Sequence, residues 1–159
     1  MAAGLASVAD PAPAVFLAFD PGTRRVGVAS GNTVTRSATP LATLPAADEA
    51  RLLDAIAQLV DAWRPAALVV GVPRHPDGAP HAGTKRSKRF IGRLAARFAL
   101  PVREVDERYS TVEAARTGAR DVDAAAAAVL LEQFFAEQAT PSGTLAEADS
   151  ATHSEEVAR

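Results

Sequence analysis

Residues 15–30 read VFLAFDPGTRRVGVAS, and this stretch decides the fold. The apolar run from Val15 to Phe19 is typical of a strand that is covered on both faces. Asp20 follows the run, and Pro21-Gly22-Thr23 predicts a turn, because Pro fixes φ and Gly tolerates the following position. Beyond the turn, Val26 to Ser30 alternate with Arg, Gly and Ala, which predicts a second strand antiparallel to the first.

The rest of the pattern extends this hairpin into an α/β domain. Gly31-Asn32 is predicted to end the second strand in a turn, and a third strand is expected within Val34–Leu44. Helices are predicted at Asp48–Trp63, Thr84–Ala99, Ser110–Thr117 and Asp121–Gln138, and further strands at Ala66–Val70 and Val102–Val105. Strands that alternate with helices pair in parallel through right-handed crossovers. The expected fold is therefore a mixed five-stranded sheet, with three antiparallel strands followed by parallel ones, and helices on both faces.

Composition excludes several classes of protein. The 159 residues contain no cysteine, so disulfide frameworks, thiolate zinc sites and cysteine nucleophiles are ruled out. With 48% hydrophobic residues the chain can bury a core. The longest apolar run, Ala124–Leu131, is too short to cross a bilayer, and residues 1–14 lack the pattern of a secretory signal. We therefore expect a cytoplasmic protein that has no membrane partner.

The charge is divided unevenly along the chain. The formal net charge is −2, yet five acidic residues and one basic residue lie from Glu137 onward, which leaves the preceding 136 residues at +2. We expect residues 1–13 to be a disordered segment, residues 14–138 to be one folded domain, and residues 139–159 to be an acidic disordered tail. A slightly basic domain is compatible with nucleic-acid binding.

Three carboxylates sit at the ends of predicted elements. Asp20 closes the first strand, Glu107 follows the last strand, and Asp123 lies in the first turn of the last helix. Because groups at the carboxyl ends of neighbouring strands converge at one sheet edge, these side chains are expected to meet. Helical spacing places Asp123 above an apolar stripe that includes Phe134, so it should point inward. Asp121 projects onto a more polar face and is interpreted as a helix N-cap.

Carboxylates without histidine or cysteine suit Mg²⁺ or Mn²⁺ rather than Zn²⁺. A pair of such ions can activate water and stabilise the leaving oxygen in phosphate chemistry. Each residue also has a purely structural interpretation. Asp20 could cap a turn, Glu107 could pair with Arg108, and Asp123 could cap a helix. The convergence of all three favours a metal site.

A basic helix follows the Pro- and Gly-rich loop at residues 72–83. The segment from Lys85 to Arg97 contains six basic residues and no acidic one. Like charges four residues apart disfavour a helix, and a bound polyanion would relieve their repulsion. The candidate nucleic-acid contacts are Arg74, Lys85, Arg86, Arg89 and Arg93. A solvated outer face is the alternative interpretation.

Two other motifs have structural interpretations. Ser110-Thr111-Val112-Glu113 matches a capping box, so Ser110 and Glu113 are assigned to helix initiation. A Ser–His catalytic pair is disfavoured, because the three histidines lie in the loop or the tail with no orienting residue in the sequence.

The ordered motifs between Val15 and Gln138 resemble the YqgF/RuvX family of candidate pre-16S ribosomal RNA nucleases. The resemblance is carried by DPGTRRVGVA from Asp20, VVGVP from Val69, Asp77-Gly78, DERYSTVEA from Asp106 and VDAAAA from Val122. It implies a ribonuclease H-like fold and a metal-dependent nuclease that matures the 5′ end of 16S rRNA. Holliday-junction resolution is an older proposal for the family.

Carried over by the resemblance, Asp20, Glu107 and Asp123 are the catalytic and metal-binding residues. Asp20 would bridge two ions, the other two carboxylates would each complete one, and Arg24 or Arg108 would steady the scissile phosphate. The implied partners are pre-16S rRNA or the pre-ribosome and, as a further possibility, branched DNA, while the oligomeric state stays open.

Two other functions fit the pattern less well. A non-catalytic nucleic-acid-binding factor could use the same fold, since fold does not fix function. The segment from Asp20 to Val28 also resembles the first phosphate loop of actin-like kinases, but those enzymes need two such domains and this chain is too short.

Overall fold

The computed structural model describes residues 13–73, 82–107 and 122–139. In chain order, the described elements are β1 (Val15–Pro21), β2 (Arg25–Asn32), β3 (Ala38–Pro45), α1 (Glu49–Trp63), β4 (Ala67–Val72), α2 (Ala82–Arg97), β5 (Val102–Asp106) and α3 (Val122–Ala139). This order confirms the predicted alternation. The short helix predicted at 110–117 lies outside the described residues, as do residues 1–12 and 140–159 of the two segments predicted to be disordered.

The five strands form one sheet in the order β3-β2-β1-β4-β5. β1 pairs antiparallel with β2, and β2 pairs antiparallel with β3. β4 pairs parallel with β1 and with β5, so each of these strands is reached by a crossover connection. The predicted sheet of antiparallel and then parallel strands is confirmed. The parallel strands place the carboxyl ends of β1, β4 and β5 at one edge.

Alternate residues of the central strand face different layers of the core. Leu17 and Phe19 pack with residues of α1 and α2, whereas Ala18 packs against Leu130 and Phe134 of α3. All five side chains are less than a tenth exposed. The helices therefore cover both faces of the sheet, as the uninterrupted apolar run in β1 predicts.

Helix α1 begins one residue later than predicted. Asp48 is its N-cap, and its Oδ1 accepts a hydrogen bond from the main-chain N–H of Arg51 at 3.2 Å. Ile56 is fully buried, but Trp63, predicted for the same face, is 39% exposed. The reason is its position in the last residue of the helix, immediately before Arg64 takes a left-handed conformation (φ 49°).

The end of β2 also differs from the prediction. The strand runs through Gly31 and Asn32 instead of turning there. The Asn32 side chain accepts hydrogen bonds from the main-chain N–H groups of Val34 and Thr35, both at 2.9 Å, and so forms the turn after the strand. Helix α2 begins at Ala82, two residues before the predicted start. Within the described residues, no helix is long and apolar enough to cross a membrane.

Candidate active site

Asp20 lies near the carboxyl end of β1, on the face of the sheet that α3 covers. It is two residues beyond Ala18, which packs against α3, and it pairs across the hairpin with Gly27 of β2. The β1–β2 turn is closed by a main-chain hydrogen bond from Gly22 N–H to Arg25 O at 2.8 Å. Main-chain atoms thus close this turn, which leaves the Asp20 carboxylate available for contacts on the α3 face.

A close approach of α3 to β2 places Asp123 beside Asp20. A Cβ atom on Gly27 would overlap the main-chain oxygen of Asp123, so only glycine admits the helix at this distance. The five residues from Ala124 to Ala128 are all buried, and Ala127 and Ala128 pack on Ala29 of β2. Small residues on both elements therefore fix the first turn of α3 against the hairpin. The Asp121 face of this helix, predicted to be more polar, buries Ala125 and Ala128 for the same reason.

Glu107 follows β5 directly and comes to the same edge. Its main-chain N–H donates to Val72 O at 3.0 Å, which extends the parallel pairing of β4 and β5 by one step. A Cβ atom on Gly71 would lie 3.0 Å from Glu107 Oε1 and 2.5 Å from a methyl group of Leu130. The absence of a side chain at Gly71 thus leaves room for the Glu107 carboxyl group.

The structure brings the three predicted carboxylates together. Asp20 and Glu107 are joined by a side-chain hydrogen bond, and the Asp123 carboxylate is close enough to repel the charge on Asp20. Burial raises the pKa of Asp20, the hydrogen bond with Glu107 opposes this rise, and Asp123 adds to it. Three like charges are therefore concentrated at one edge of the sheet, and neutralising them is favourable.

An arginine that the sequence analysis did not select provides part of this neutralisation. Arg25 Nε donates to Asp123 Oδ2 at 2.7 Å, and the two side chains are 59% and 33% exposed. Arg25 precedes Gly27 by two residues on β2, so both lie on the face that α3 covers. That period-two relationship was a usable signal, but it has meaning only once the helix is known to pack on β2.

The donor set suits a hard divalent cation. Asp20, Glu107 and Asp123 offer only carboxylate oxygens, the ligand type that Mg²⁺ and Mn²⁺ prefer. Within the described parts of the chain, no three acidic or histidine side chains already stand as a preassembled metal cluster. The reason is visible in the contacts, since Asp20 is hydrogen-bonded to Glu107 while Arg25 holds the Asp123 carboxylate. The residues fit a divalent ion in type and position, and binding one requires these contacts to be exchanged.

The predicted basic residues fall into two groups on α2. Arg93 pairs with Glu49 at 2.8 Å, and farther along the helix Arg97 pairs with Asp54 at 3.1 Å. Neighbouring elements thus relieve the repulsion that the bare sequence of α2 suggested. Lys85, Arg86 and Arg89, at the amino-terminal half, form no ion pair with any residue that the structure describes. Arg24 lies exposed in the β1–β2 turn, while Arg74 and Arg108 lie outside the described residues.

Comparison with proteins of known family agrees with the fold and with the carboxylate cluster. A protein from Polaromonas sp. (strain JS666 / ATCC BAA-500), named as a candidate pre-16S rRNA nuclease, is 58% identical over 120 residues, which cover 76% of this chain and 86% of the relative. A protein with the same name from Albidiferax ferrireducens is 55% identical over 120 residues, or 76% of each chain.

Solved structures show the same architecture at low sequence identity. Thermus thermophilus RuvC in complex with a Holliday junction substrate superposes with a TM-score of 0.53 at 16% identity, covering 78% of this chain and 95% of RuvC. The predicted ribonuclease H-like fold is confirmed by this likeness. The family model of RuvX, described as Holliday junction resolvase, matches residues 14–137. The chain therefore belongs to the RuvX family of nucleases.

Proposed function

We propose that this protein is a divalent-metal-dependent endonuclease that hydrolyses phosphodiester bonds in the precursor of 16S rRNA, in the cytoplasm. The observation that supports this most directly is the meeting of Asp20, Glu107 and Asp123 from three separate elements. Family membership supports nuclease chemistry, and the names of the relatives at 55% and 58% identity support the ribosomal substrate.

Asp20, Glu107 and Asp123 would hold the metal, for which Mg²⁺ and Mn²⁺ suit the donors, and two ions suit three carboxylates. Bound there, the metal supplies Lewis-acid polarisation of the phosphate and a water of lowered pKa. Asp20 is central in this arrangement, since it interacts with both of the other carboxylates. Its burial at the end of β1 holds it in a fixed position, as catalysis requires of a ligand.

The basic residues orient the substrate around this edge. Arg24 is exposed in the turn that follows Asp20, where its guanidinium can donate to a non-bridging phosphate oxygen. Lys85, Arg86 and Arg89 extend the positive surface onto α2, and Arg74 and Arg108 are proposed contacts from the connecting segments. Phosphate contacts of this kind position a strand without reading its sequence.

The test is cleavage of a 16S precursor RNA by the purified chain with Mn²⁺ and with EDTA. The wild-type protein should cut only with the metal, and Asp20→Asn should lose this activity. Asp61→Asn, which makes the same change at an exposed carboxylate of α1, should cleave as the wild type does. Cleavage by Asp20→Asn at the wild-type rate would remove this site from the reaction.

The description of the matched family favours a second candidate substrate, a four-way DNA junction. The same assay decides between the two when a synthetic junction is run beside the precursor RNA. Symmetric nicking of the junction, with intact precursor RNA, would assign the site to junction resolution. Binding of either substrate without metal-dependent cleavage would instead identify a nucleic-acid-binding factor.

A further inference from the structure

A second concave site lies on the opposite face of the sheet from the carboxylates. A cavity of about 270 Å³ opens between the β1–β2 turn, the first turn of α1 and the exposed side of α2. Val26, Leu52 and Phe90 line it and are each less than a tenth exposed. The Phe90 ring is held edge-on against Phe19 with 5.7 Å between ring centres. The cavity therefore has a packed apolar floor.

Arginines surround this apolar floor. Arg86, Arg89 and Arg93 all line the cavity, and Glu49 lines it as well and pairs with Arg93 at 2.8 Å. Arg86 and Arg89 are not paired with any acidic residue in the described ranges, so the rim carries excess positive charge. An apolar floor with a cationic rim matches a ligand that has an aromatic body and an attached anion. A nucleotide has this chemistry, and guanidinium planes also stack on bases.

The cavity and the carboxylate cluster share one turn of the backbone. Pro21, Gly22 and Thr23 line the cavity, while Asp20, one residue earlier, points to the other face of the sheet. Successive residues of a strand point to opposite faces, so the two sites lie back to back across the tip of the hairpin. A nucleic-acid strand that crosses this tip can present one phosphate to the carboxylates and a neighbouring nucleoside to the cavity.

We propose that this cavity accepts an unpaired nucleoside adjacent to the scissile phosphate, with its base on the apolar floor and a phosphate between Arg86 and Arg89. The position of the nucleoside relative to the cut rests on the proposed nuclease function, whereas base binding itself does not. The substrate class follows from the enclosure. A base inside a continuous duplex is stacked and paired, so a strand that is single-stranded or unpaired next to the cleavage point is favoured.

The test compares two probes that carry the same number of phosphates, a short oligoadenylate and an abasic oligonucleotide of equal length. The wild-type protein should bind the oligoadenylate about five- to a hundredfold more tightly, the range that contact with one base provides. Ala46 lines the cavity, and Ala46→Phe should fill it. This variant should bind both probes with the affinity that the wild type shows for the abasic one.

Ala62→Phe, at an exposed position in α1, is the matched control and should keep the preference for the oligoadenylate. Equal affinity of the wild type for both probes would overturn the proposal, as would an unchanged preference in a folded Ala46→Phe protein. Should Ala46→Phe fail to fold, photocrosslinking of wild-type protein to an iodouridine-substituted RNA gives an independent answer. Crosslinks are expected at residues 21–23 or at Phe90, and crosslinks confined to other surfaces would refute the cavity.

The two proposals fail in different ways. A preference for bases that Ala46→Phe abolishes, without any metal-dependent cleavage, would keep the nucleoside site and reject the nuclease function. Cleavage that Asp20→Asn abolishes, together with equal binding of the two probes by the wild type, would keep the nuclease and reject the nucleoside site.

Discussion

Arg25 donates a hydrogen bond from Nε to Oδ2 of Asp123 at 2.7 Å, across 98 positions of sequence. This ion pair ties the second strand to the first turn of the last helix, at the point where three carboxylates meet. It is partly exposed, with Arg25 59% and Asp123 33% accessible, so it contributes at most about 1 kcal/mol to the fold. Its larger consequence is that Arg25 and a divalent cation compete for the same carboxylate.

Replacing Arg25 should therefore increase the effect of metal on stability. In EDTA, Arg25→Gln should melt slightly below the wild type, because the loss of the pair leaves Asp123 beside Asp20 without its cation. Saturating Mn²⁺ should raise the melting temperature of Arg25→Gln by more than that of the wild type. Thermal melts of both proteins with EDTA and with Mn²⁺ measure this difference.

Arg51→Gln is the matched control, since it removes an exposed arginine that lies 3.8 Å from Asp48 in α1. It should show the wild-type response to Mn²⁺. An identical metal-induced shift in Arg25→Gln and Arg51→Gln would show that Arg25 does not compete with the ion.

The raised pKa of Asp20 predicts how stability depends on pH in the absence of metal. Burial is the main cause of the rise from 3.8, and the nearby charge of Asp123 adds to it. Because the folded state binds this proton more tightly than the unfolded chain, the ionised carboxylate destabilises the fold fully above the raised pKa. The penalty fades as the pH falls through the raised pKa towards 3.8.

Asp20→Asn should consequently melt above the wild type at pH 7 in EDTA, even though it is expected to be inactive. Each kcal/mol of relief corresponds to about 2–8 °C for domains of this size range. The gap between the two proteins should narrow as the pH falls through the raised pKa, and calorimetry over that range measures it. A wild-type protein that is the more stable of the two at pH 7 would contradict the burial argument.

The sequence predicts the sheet well because its strands carry strong local signals. Val15–Phe19 is continuously apolar, and the Pro21-Gly22-Thr23 turn has its own chemistry, so the hairpin is correctly placed. Boundaries were missed where a side chain acts on the main chain. Asn32 ends β2 by accepting hydrogen bonds from the turn that follows, which the residue pattern alone does not separate from a turn at Gly31.

The candidate site was predictable as a set of element ends but not as a set of contacts. Asp20, Glu107 and Asp123 follow from the rule that parallel strands converge at one edge. The position of Arg25 depends on how closely α3 approaches β2, and this is a tertiary property of Gly27 and the alanines of the helix. The partners of Arg93 and Arg97 likewise come from α1, far away in sequence.

Gly27 is expected to be one of the least replaceable residues of the hairpin. A Cβ atom there would overlap the main chain of Asp123, and main-chain atoms cannot rotate away as a side chain can. Gly27→Ala should destabilise the fold by about 1–3 kcal/mol or more through overpacking and should displace Asp123 from Asp20. Chemical denaturation measures the loss, and weaker metal-induced stabilisation reports the displaced carboxylate.

Gly92→Ala provides the opposite control in α2. A Cβ atom at this exposed helical position would have no neighbour within 4 Å among the described residues. The substitution should stabilise the protein by about 0.5–1 kcal/mol, because alanine loses less backbone entropy in a helix. Equal effects of the two substitutions would mean that α3 does not rest on Gly27 as the structure shows.

The two groups of basic residues on α2 should differ in how they contribute to RNA binding. Arg86 and Arg89 face the cavity with no acidic partner among residues 13–73, 82–107 and 122–139, whereas Arg97 is held by Asp54 at 3.1 Å. Each phosphate contact that is lost lowers the slope of log K against log salt by about 0.7–0.9. The double substitution Arg86→Ala with Arg89→Ala should therefore flatten the slope by about 1.4–1.8. Arg97→Ala should leave it almost unchanged, because that side chain is already neutralised. Fluorescence titrations of a labelled single-stranded RNA over a series of salt concentrations give both slopes. If Arg97→Ala flattened the slope as much as the double substitution does, binding would follow the total charge of α2 and not the unpaired arginines beside the carboxylates.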